Sequence, residues 1–564
     1  MKTEPRKIKA VALQHLRNKG HVLAIGHSET PESLYDNPQL YPQMFPWLFP
    51  YGLGGVGNSR GFSKMSDRRH IQWLLMYHDK RFQLDPVFPL IAWNHQQIKK
   101  SVTGGYLLAQ KKNFDQVCER LHNLNDDVLD SLIKRLQDKG FVKPETEEEK
   151  QCYRLLNDLD FVNSKVDGST TNRKYMRNEI WSMISSLGAP TWFITMSPSD
   201  TNHPIALYFA DTRQEYFPLQ REYNERIRLI ANNPVAGARF FNVMVKLLLK
   251  HVLGVGADHK GVYGDTAGYY GTVEQQGRLS LHLHMLVWIR NSLTPQEIRD
   301  RLLDPKSTFQ QKMIEYLEGV HMGEFMTGTM AEVQERLDKE KERKDYIPAT
   351  QLLPRPPPEN KCKTKCGTCD DCEKMKAFWQ HFKYTVDEIV YSVNRHFCHA
   401  GCLSKIYQTC KSRFPRLLFL LTLVDPETGA INLKKGEAWI NFFTPLFTYV
   451  TMGNTDITSL LSGTAIKAIV AYVTDYITKS ALKTHTIFQA VKSVFAKMYS
   501  DLDDMKADIG SRTRTAFVRV VNALTAQSEI GAPMAAMYLL EHPDHYTSHT
   551  FKTCYWYPYL KEGI

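Results

Sequence analysis

Apolar and polar side chains alternate between residues 278 and 289, which is the period of a β-strand with two different faces. One face of RLSLHLHMLVWI is wholly apolar, and the other begins with Arg278, Ser280, His282 and His284. A second run suited to a strand, YYGTVEQ at 269–275, precedes it, and Gly277 lies between the two. The pattern therefore predicts a β-hairpin that carries two histidines on one face.

Along the rest of the chain, the spacing of apolar residues alternates between that of strands and that of helices. The run PTWFITMSPSD at 190–200 predicts a strand, and RLLFLLTLV at 416–424 predicts a buried strand. The proline- and aromatic-rich run YPQMFPWLFPYGLGG at 41–55 cannot be a helix and predicts an irregular segment. Helical periodicity dominates elsewhere, at 66–185, 238–254, 293–347, 373–394 and 465–483. Strands and helices without regular βα alternation indicate the α+β class.

Composition narrows the class of protein. A chain of 564 residues with 43% hydrophobic residues is expected to form two to four globular domains. The formal net charge of +11 favours polyanionic partners, although a basic protein need not bind one. No run of about 18 apolar residues occurs, and the charged start lacks the apolar core of a secretory signal. We therefore expect no membrane partner.

The two histidines suggest a metal site. Side chains two residues apart on a strand start about 6–7 Å apart on the same face, so His282 and His284 can converge on one ion. A three-residue loop would place Glu274 on this face and a two-residue loop would not, which leaves Gln276 as the alternative third ligand. Two imidazoles, one carboxylate and open positions suit Mg²⁺ or Mn²⁺ bridging to a phosphate. The plainer interpretation is a pair of half-exposed strand residues.

A second candidate group lies in AIKAIVAYVTDYITKSALK at 465–483. Helical spacing puts Tyr472, Tyr476 and Lys479 on one stripe. A phenol with an ordinary pKa of about 10 is a poor nucleophile, but a nearby metal ion and a cation could compensate. By itself, this spacing favours ordinary packing on a helix surface over a catalytic role.

Seven of the ten cysteines fall between 362 and 410, and such clustering without an export signal favours metal ligands over disulfides. The spacing indicates two groups of ligands. The first consists of Cys362, Cys366, Cys369 and Cys372. The second consists of Cys398, Cys402 and Cys410 with one histidine, either His396 or His399. Sulfur-rich sets of four suit structural Zn²⁺. Whether they hold one shared ion or two separate ions is open. Surrounding lysines and arginines could contact DNA.

Taken together, these motifs resemble the two-tyrosine class of HUH endonucleases, and most closely the Rep-type nuclease region of Helitron transposases, the Helitron helicase-like domain. The resemblance extends over nearly the whole chain. It rests on five segments in family order: YPQMFPWLFPYGLGG, PTWFITMSP, YYGTVEQQGRLSLHLHMLVW, AYVTDYITK and IGAPMAAMYLLEHPDHYTSH. The chain departs from the family in two ways. Leu279, Ser280 and Leu281 stand where many relatives have Gly, Leu and Pro. The GxxxxGK[ST] phosphate loop of the helicase domain is absent from this sequence.

The resemblance implies an HUH-type central antiparallel sheet with surrounding helices and a division of the chain into four parts. These are an N-terminal segment at 1–65, a helical part at 66–185, a nuclease core at 186–480 with a zinc-binding insertion at about 350–412, and a C-terminal extension at 481–564. It also implies a nuclear location, single-stranded DNA at transposon ends as the substrate, and a helicase domain as the usual partner in the same polypeptide. Helicase activity is not expected of this chain.

By this resemblance, His282, His284 and Glu274 would hold Mg²⁺ or Mn²⁺, and Tyr472 or Tyr476 would attack a DNA phosphate. The product would be a 5′-phosphotyrosine and a free 3′-OH, with Lys479 steadying the phosphate or a tyrosinate. Two competing hypotheses remain. One is an inactive, zinc-containing DNA-binding remnant, and the other is an unrelated metalloenzyme acting on a small molecule.

Overall fold

In the computed structural model, the structure describes residues 32–57, 65–211, 221–275, 280–304, 306–359, 361–362, 366–399, 402–403, 409–461, 483–500, 507–528 and 530–553, with isolated positions at 14, 17 and 470. The chain divides into two compact units, Met1–His70 and Ile71–Ile564.

The described helices, in chain order, are α1 (Leu40–Met44), α2 (Asp67–Leu75), α3 (Arg81–Leu84), α4 (Phe88–Ala109), α5 (Phe114–His122), α6 (Asp126–Lys139), α7 (Glu147–Asn163), α8 (Thr170–Leu187), α9 (Pro204–Ala210), α10 (Tyr223–Ala231), α11 (Pro234–Leu247), α12 (Pro295–Leu303), α13 (Phe309–Val320), α14 (Met330–Lys341), α15 (Asp370–Ile389), α16 (Pro445–Thr451), α17 (Thr484–Ser500), α18 (Ile509–Ala526) and α19 (Ala532–Leu539). Single π turns extend α11 over Leu248–Val252 and α15 over Val390–Asn394, and a 3₁₀ turn spans Ala349–Gln351.

The described strands are β1 (Trp192–Ser197), β2 (Thr266–Gln275), β3 (Leu281–Ile289), β4 (Leu423–Val424), β5 (Ile431–Asn432), β6 (Asn454–Ser459) and β7 (His545–Thr547). Five of them form an antiparallel sheet in the order β6-β1-β3-β2-β7, and β4 pairs with β5 in a separate ribbon. The mixture of helices and antiparallel strands confirms the α+β class.

The first unit contains a correction to the sequence interpretation. Residues 41–55 were expected to contain no helix, yet α1 occupies Leu40–Met44. A proline is tolerated in the first turn of a helix, where its missing N–H has no partner to lose, and Pro42 lies there. The next residues form turns in which Phe45, Leu48 and Phe49 are buried.

A helical layer builds the larger unit from both of its ends. Helices α4 to α7 share one apolar core with α17 and α18, which come almost 400 residues later. Side-chain caps fix two of these helix starts: Asn125 accepts hydrogen bonds from the first turn of α6, and Thr146 from that of α7. The C-terminal helices are therefore part of the same core as the early ones.

The five-stranded sheet is covered on both faces. The apolar face of β3 carries Leu283, Met285 and Val287, which are fully buried, and α11 packs over this strand. On the other face, α8 covers Leu286 and Trp288 together with Tyr270 of β2. At the other end of this face His282 is buried, whereas the side chain of Glu274 is 30% exposed.

The run at 416–424 is the second correction, because it is not a buried strand. Only Leu423–Val424 are in a strand, and Leu417 and Leu420 are 78% and 88% exposed. The local reason is that β4 pairs with β5 alone in a two-residue ribbon, so no larger sheet buries the leucines.

In the described part of the chain, no helix is long and apolar enough to cross a membrane.

Candidate metal-binding face and cysteine centres

The register of the sheet brings Glu274 to the histidine face. Glu274 lies directly opposite His282, and Thr272 lies opposite His284. A three-residue loop would have paired Glu274 with Ser280, so the observed register is shifted by two residues. Because side chains on a strand alternate between faces, a shift of two residues leaves Glu274 on the histidine face. The turn residues 276–279, including the alternative ligand Gln276, lie outside the described residues.

Glu274 contacts the second histidine rather than only the one opposite it. Its Oε2 atom lies 3.0 Å from Nε2 of His284, a diagonal contact across the two strands. A divalent cation in this position would take the carboxylate oxygen and the ring nitrogen as ligands in place of this hydrogen bond. Glu274 and His284 therefore provide two suitable ligands for such an ion, and His282 lies on the same sheet face.

Hydroxyl groups on β1 support both rings. The hydroxyl of Ser197 contacts Nδ1 of His282, and Oγ1 of Thr195 lies 3.3 Å from Nδ1 of His284. On its other side, Nε2 of His282 lies 3.2 Å from Oγ of Ser280. Metal-binding histidines usually have their second nitrogen held by an outer group that sets ring orientation and tautomer, and β1 supplies such groups here.

The ring of His284 is also held by stacking. It lies parallel to Phe193 of β1, with centroids 6.1 Å apart and an interplanar angle of 6°. His282 is buried at 7% exposure. Both imidazoles are therefore fixed by packing as well as by hydrogen bonds, which is the rigidity that a binding site needs.

A charged cluster that the sequence analysis did not single out extends this face across β1. Asp456 of β6 lies opposite Thr195, which in turn lies opposite His284. Burial raises the pKa of Asp456 to about 6, and Nδ2 of Asn441 donates a hydrogen bond of 2.9 Å to its carboxylate. The polar alternation NTDITS at 454–459 was the available sequence signal, but it gave no hint of which strand it would join.

Two cations lie near this carboxylate. Burial lowers the pKa of Lys435 to about 8, and its side chain lies over the ring of Phe442 at 4.4 Å. Arg416 donates a hydrogen bond of 3.2 Å to Oδ1 of Asn441. Lys435 and Arg416 thus interact electrostatically with the buried carboxylate of Asp456 beside the histidine face.

The first cysteine group is brought together at the start of α15. Cys369 is the residue before the helix and Cys372 lies in its first turn, which points the thiols back toward the preceding loop. The Sγ atoms of Cys362 and Cys366 are 3.7 Å apart. Tetrahedral Zn–S bonds of about 2.3 Å imply sulfur separations of roughly 3.8 Å, so the arrangement fits zinc.

The second group is formed by His396, Cys398, Cys402 and Cys410. Nε2 of His396 lies 3.3 Å from Sγ of Cys410. In each of the two groups, all four ligand atoms lie within 4.8 Å of one another. Each group therefore provides a complete set of four ligands that could hold a metal such as zinc, and His396 rather than His399 completes the second.

The remaining predicted site residues, Tyr472, Tyr476 and Lys479, lie outside the described residues. The structure describes β6 up to Ser459, then 460 and 461, and the chain again from 483, with position 470 between them. Their position relative to the histidine face is thus still a prediction.

Comparison with known families places the histidine face in context. Residues 70–287 match a family model, the Helitron helicase-like domain at N-terminus. The match runs from α2 into β3 and includes Glu274, His282 and His284, and it covers less than half of the chain. This Helitron-like segment supports a relationship to Helitron transposases. No curated protein matches the chain significantly.

Proposed function

We propose that the protein is the Rep-type HUH endonuclease region of a Helitron transposase and that it nicks and rejoins single-stranded DNA. The observation that carries the proposal is the convergence of Glu274, His282 and His284 on one supported sheet face within the Helitron-like segment. The substrate would be single-stranded DNA at transposon ends in the nucleus, with a helicase domain as the usual partner.

In this mechanism, His282, His284 and Glu274 hold Mg²⁺ or Mn²⁺. The bound ion supplies Lewis-acid polarisation of the scissile phosphate. Ser197 and Thr195 keep the two imidazoles oriented through their Nδ1 atoms, so the Nε2 atoms, which contact Ser280 and Glu274, would be the ones to face the ion.

Tyr472 or Tyr476 performs the chemical step. Its phenol oxygen attacks phosphorus, the bond from phosphorus to the 3′-oxygen breaks, and the 5′-phosphate becomes esterified to tyrosine. The phenol gives up its proton to solvent, and the departing 3′-oxygen takes one up. Lys479, which the spacing predicts to share a helical stripe with Tyr476, would stabilise the tyrosinate or the phosphate.

The two cysteine groups hold structural Zn²⁺ in this proposal. They lie in the segment between the histidine hairpin and the tyrosine motif, where a bound ion would hold together the loops that carry the cysteines. The net charge of +11 supplies attraction for the DNA backbone.

A covalent trapping experiment tests the proposal. The full chain is incubated with Mn²⁺ and a pool of single-stranded oligonucleotides labelled at the 3′ end, because the covalent product retains the 3′ part. A slow-migrating labelled adduct is expected on a denaturing gel. It should disappear in a Tyr472→Phe, Tyr476→Phe double variant and in a His282→Ala, His284→Ala double variant, while binding of the oligonucleotide survives.

His259→Gln is the matched control, because His259 is exposed and lies outside the sheet. This variant should form the adduct at the wild-type level. An adduct that persists in the double tyrosine variant would exclude the mechanism. DNA binding without any adduct in the wild type would instead favour an inactive zinc-containing remnant, and the absence of DNA binding would favour an unrelated metalloenzyme.

A further inference from the structure

The edge strand β6 is contacted by the residues just before and just after the second cysteine group. This group consists of His396, Cys398, Cys402 and Cys410. Just before it, Asn394 donates a hydrogen bond of 2.9 Å to the carbonyl of Thr455, and the Thr455 N–H donates back at 3.3 Å. Both residues are buried. This reciprocal pair fixes the start of the group to the residue next to Asp456.

The other attachment begins at the ligand His396 itself. Its ring stacks on Phe414 at 4.4 Å and an angle of 10°. The guanidinium of Arg416 lies over the same phenyl ring, 4.6 Å from its centroid. The position of the ligand and that of the arginine are therefore set by one shared aromatic ring.

Arg416 then continues the connection toward the sheet. It donates to Oδ1 of Asn441 at 3.2 Å, and Nδ2 of Asn441 donates to Asp456 at 2.9 Å. The arginine must donate and the carboxylate must accept, so the amide of Asn441 has a single consistent orientation. This fixes the carboxylate of Asp456 relative to Arg416.

The last step crosses β1. Asp456 and His284 lie on either side of Thr195, whose hydroxyl is 3.3 Å from Nδ1 of His284. Side-chain contacts thus run from a ligand of the second cysteine group to Asp456, and the pairing of β6 with β1 joins Asp456 to the support of a candidate catalytic ligand. The first group lies at the opposite end of α15, 25 residues before Asn394 at Cys369, and its Cys362 and Cys366 are intermediate and exposed.

We propose that Arg416 is a positioning residue that couples the second cysteine group to the histidine face, so that Mn²⁺ or Mg²⁺ binds tightly at His282, His284 and Glu274 only when that group holds zinc. The inference rests on the proposed function, because it assumes a divalent cation at that face. It adds that the zinc-binding insertion controls the nuclease centre, beyond folding its own segment. Loss of outer groups that orient metal ligands commonly weakens metal binding by about 10- to 100-fold.

Binding of Mn²⁺ itself, measured by electron paramagnetic resonance titration of the full chain, is the test. Arg416→Lys retains the charge but lacks the planar fork that reaches Asn441 while covering Phe414, so we expect Mn²⁺ affinity to fall about 10- to 100-fold. Cys398→Ser should remove zinc from the second group and lower Mn²⁺ affinity to a similar extent. Cys398 is exposed, so the substitution removes little packing.

Two matched controls separate coupling from general damage. The first control, Cys366→Ser, should remove zinc from the first group. The second, Arg413→Lys, changes an arginine close in sequence to Arg416. Both variants should retain wild-type Mn²⁺ affinity. Circular dichroism and melting temperature should stay at wild-type values in Arg416→Lys. The double variant Arg416→Lys, Cys398→Ser should bind Mn²⁺ no more weakly than either single variant, because both act through one connection.

Wild-type Mn²⁺ affinity in Cys398→Ser, or equal affinities in Arg416→Lys and Arg413→Lys, would overturn the coupling while leaving the proposed function intact. If the wild type binds no Mn²⁺, or if His282→Ala, His284→Ala binds it equally well, both proposals fall together. Additive losses in the double variant would mean that Arg416 and the zinc group act separately, which also overturns the inference.

Discussion

His321 shows how a single buried residue makes the stability of this protein depend on pH. It is 5% exposed, and its ring lies edge-on to Trp192 at 5.3 Å. Its Nδ1 atom donates to the carbonyl of Leu317, whereas Nε2 is buried and has no hydrogen-bond partner among the described residues, so a second proton there would have no acceptor. Burial lowers the pKa of His321 to about 4.

This shift predicts acid destabilisation with a definite sign. The folded-state pKa is below the unfolded value of about 6.5, so the contribution of His321 is complete above pH 6.5 and is lost as the pH falls toward 4. At pH 5 the loss is about 2 kcal/mol of unfolding free energy. His321→Asn can retain the hydrogen bond to Leu317 but cannot titrate. Its stability deficit, measured by urea unfolding, should therefore shrink by about 2 kcal/mol between pH 7 and pH 5.

The comparison needs an exposed histidine as a reference. His259→Asn removes a solvent-exposed imidazole and should differ from the wild type by the same small amount at both pH values. A deficit of His321→Asn that stays constant from pH 7 to pH 5 would show that the folded chain binds a proton at His321 as readily as the unfolded chain does, so that burial does not lower its pKa.

At the scale of elements, local patterns predicted the pieces of the site and non-local pairing supplied the rest. The period-two alternation at 278–289 was enough to place the histidines on one face of a strand, and the predicted strand at 190–200 is confirmed as β1. The cysteine spacing likewise contained both groups, because each is nearly contiguous in sequence. These features depend on residues that lie within about 15 positions of one another.

The sheet order could not be derived in this way. Strand β6 pairs with β1 across some 260 residues, and only this pairing brings Asp456 beside Thr195. The leucines at 416–424 show the converse problem, because an apolar run reveals a tendency to be buried but not whether any layer covers it. The tyrosine stripe at 472–479 is still a sequence prediction.

The two cysteine groups lead to a stoichiometric prediction. Each has four ligand atoms within 4.8 Å of one another, so neither needs a ligand from the other. We expect two zinc ions per chain by elemental analysis, and one in either Cys366→Ser or Cys402→Ser. A single zinc in the wild type, lost completely in both variants, would indicate one shared site instead.

At the scale of the whole molecule, two adjacent glycines in α4 join the early helices to the late ones. A Cβ atom on Gly104 would lie 2.8 Å from the backbone carbonyl of Val162 in α7. A Cβ atom on Gly105 would lie 2.7 Å from the side chain of Val518 in α18. One turn earlier, Ser101 donates a hydrogen bond of 2.6 Å to Asn522 of α18. Helix α4 is therefore held closely between two partners, one of which comes from the C-terminal part of the chain.

This close packing predicts an unusual effect of alanine. In an open helix interior, Gly→Ala stabilises by roughly 0.5–1 kcal/mol, and Gly237 of α11, with nothing within 4 Å of its added Cβ, should behave in this way. Gly104→Ala should instead cost about 1–3 kcal/mol, because the backbone of α7 cannot rotate away as a side chain can. Gly105→Ala should cost less, since the atom it meets belongs to a valine side chain. Urea unfolding of the three variants measures these differences.

If α4 ties the early and late helices into one core, Gly104→Ala and Gly105→Ala should lower the midpoint of the same cooperative transition that the wild type shows. A gain in stability for Gly104→Ala equal to that of Gly237→Ala would mean that α4 and α7 are not in close contact.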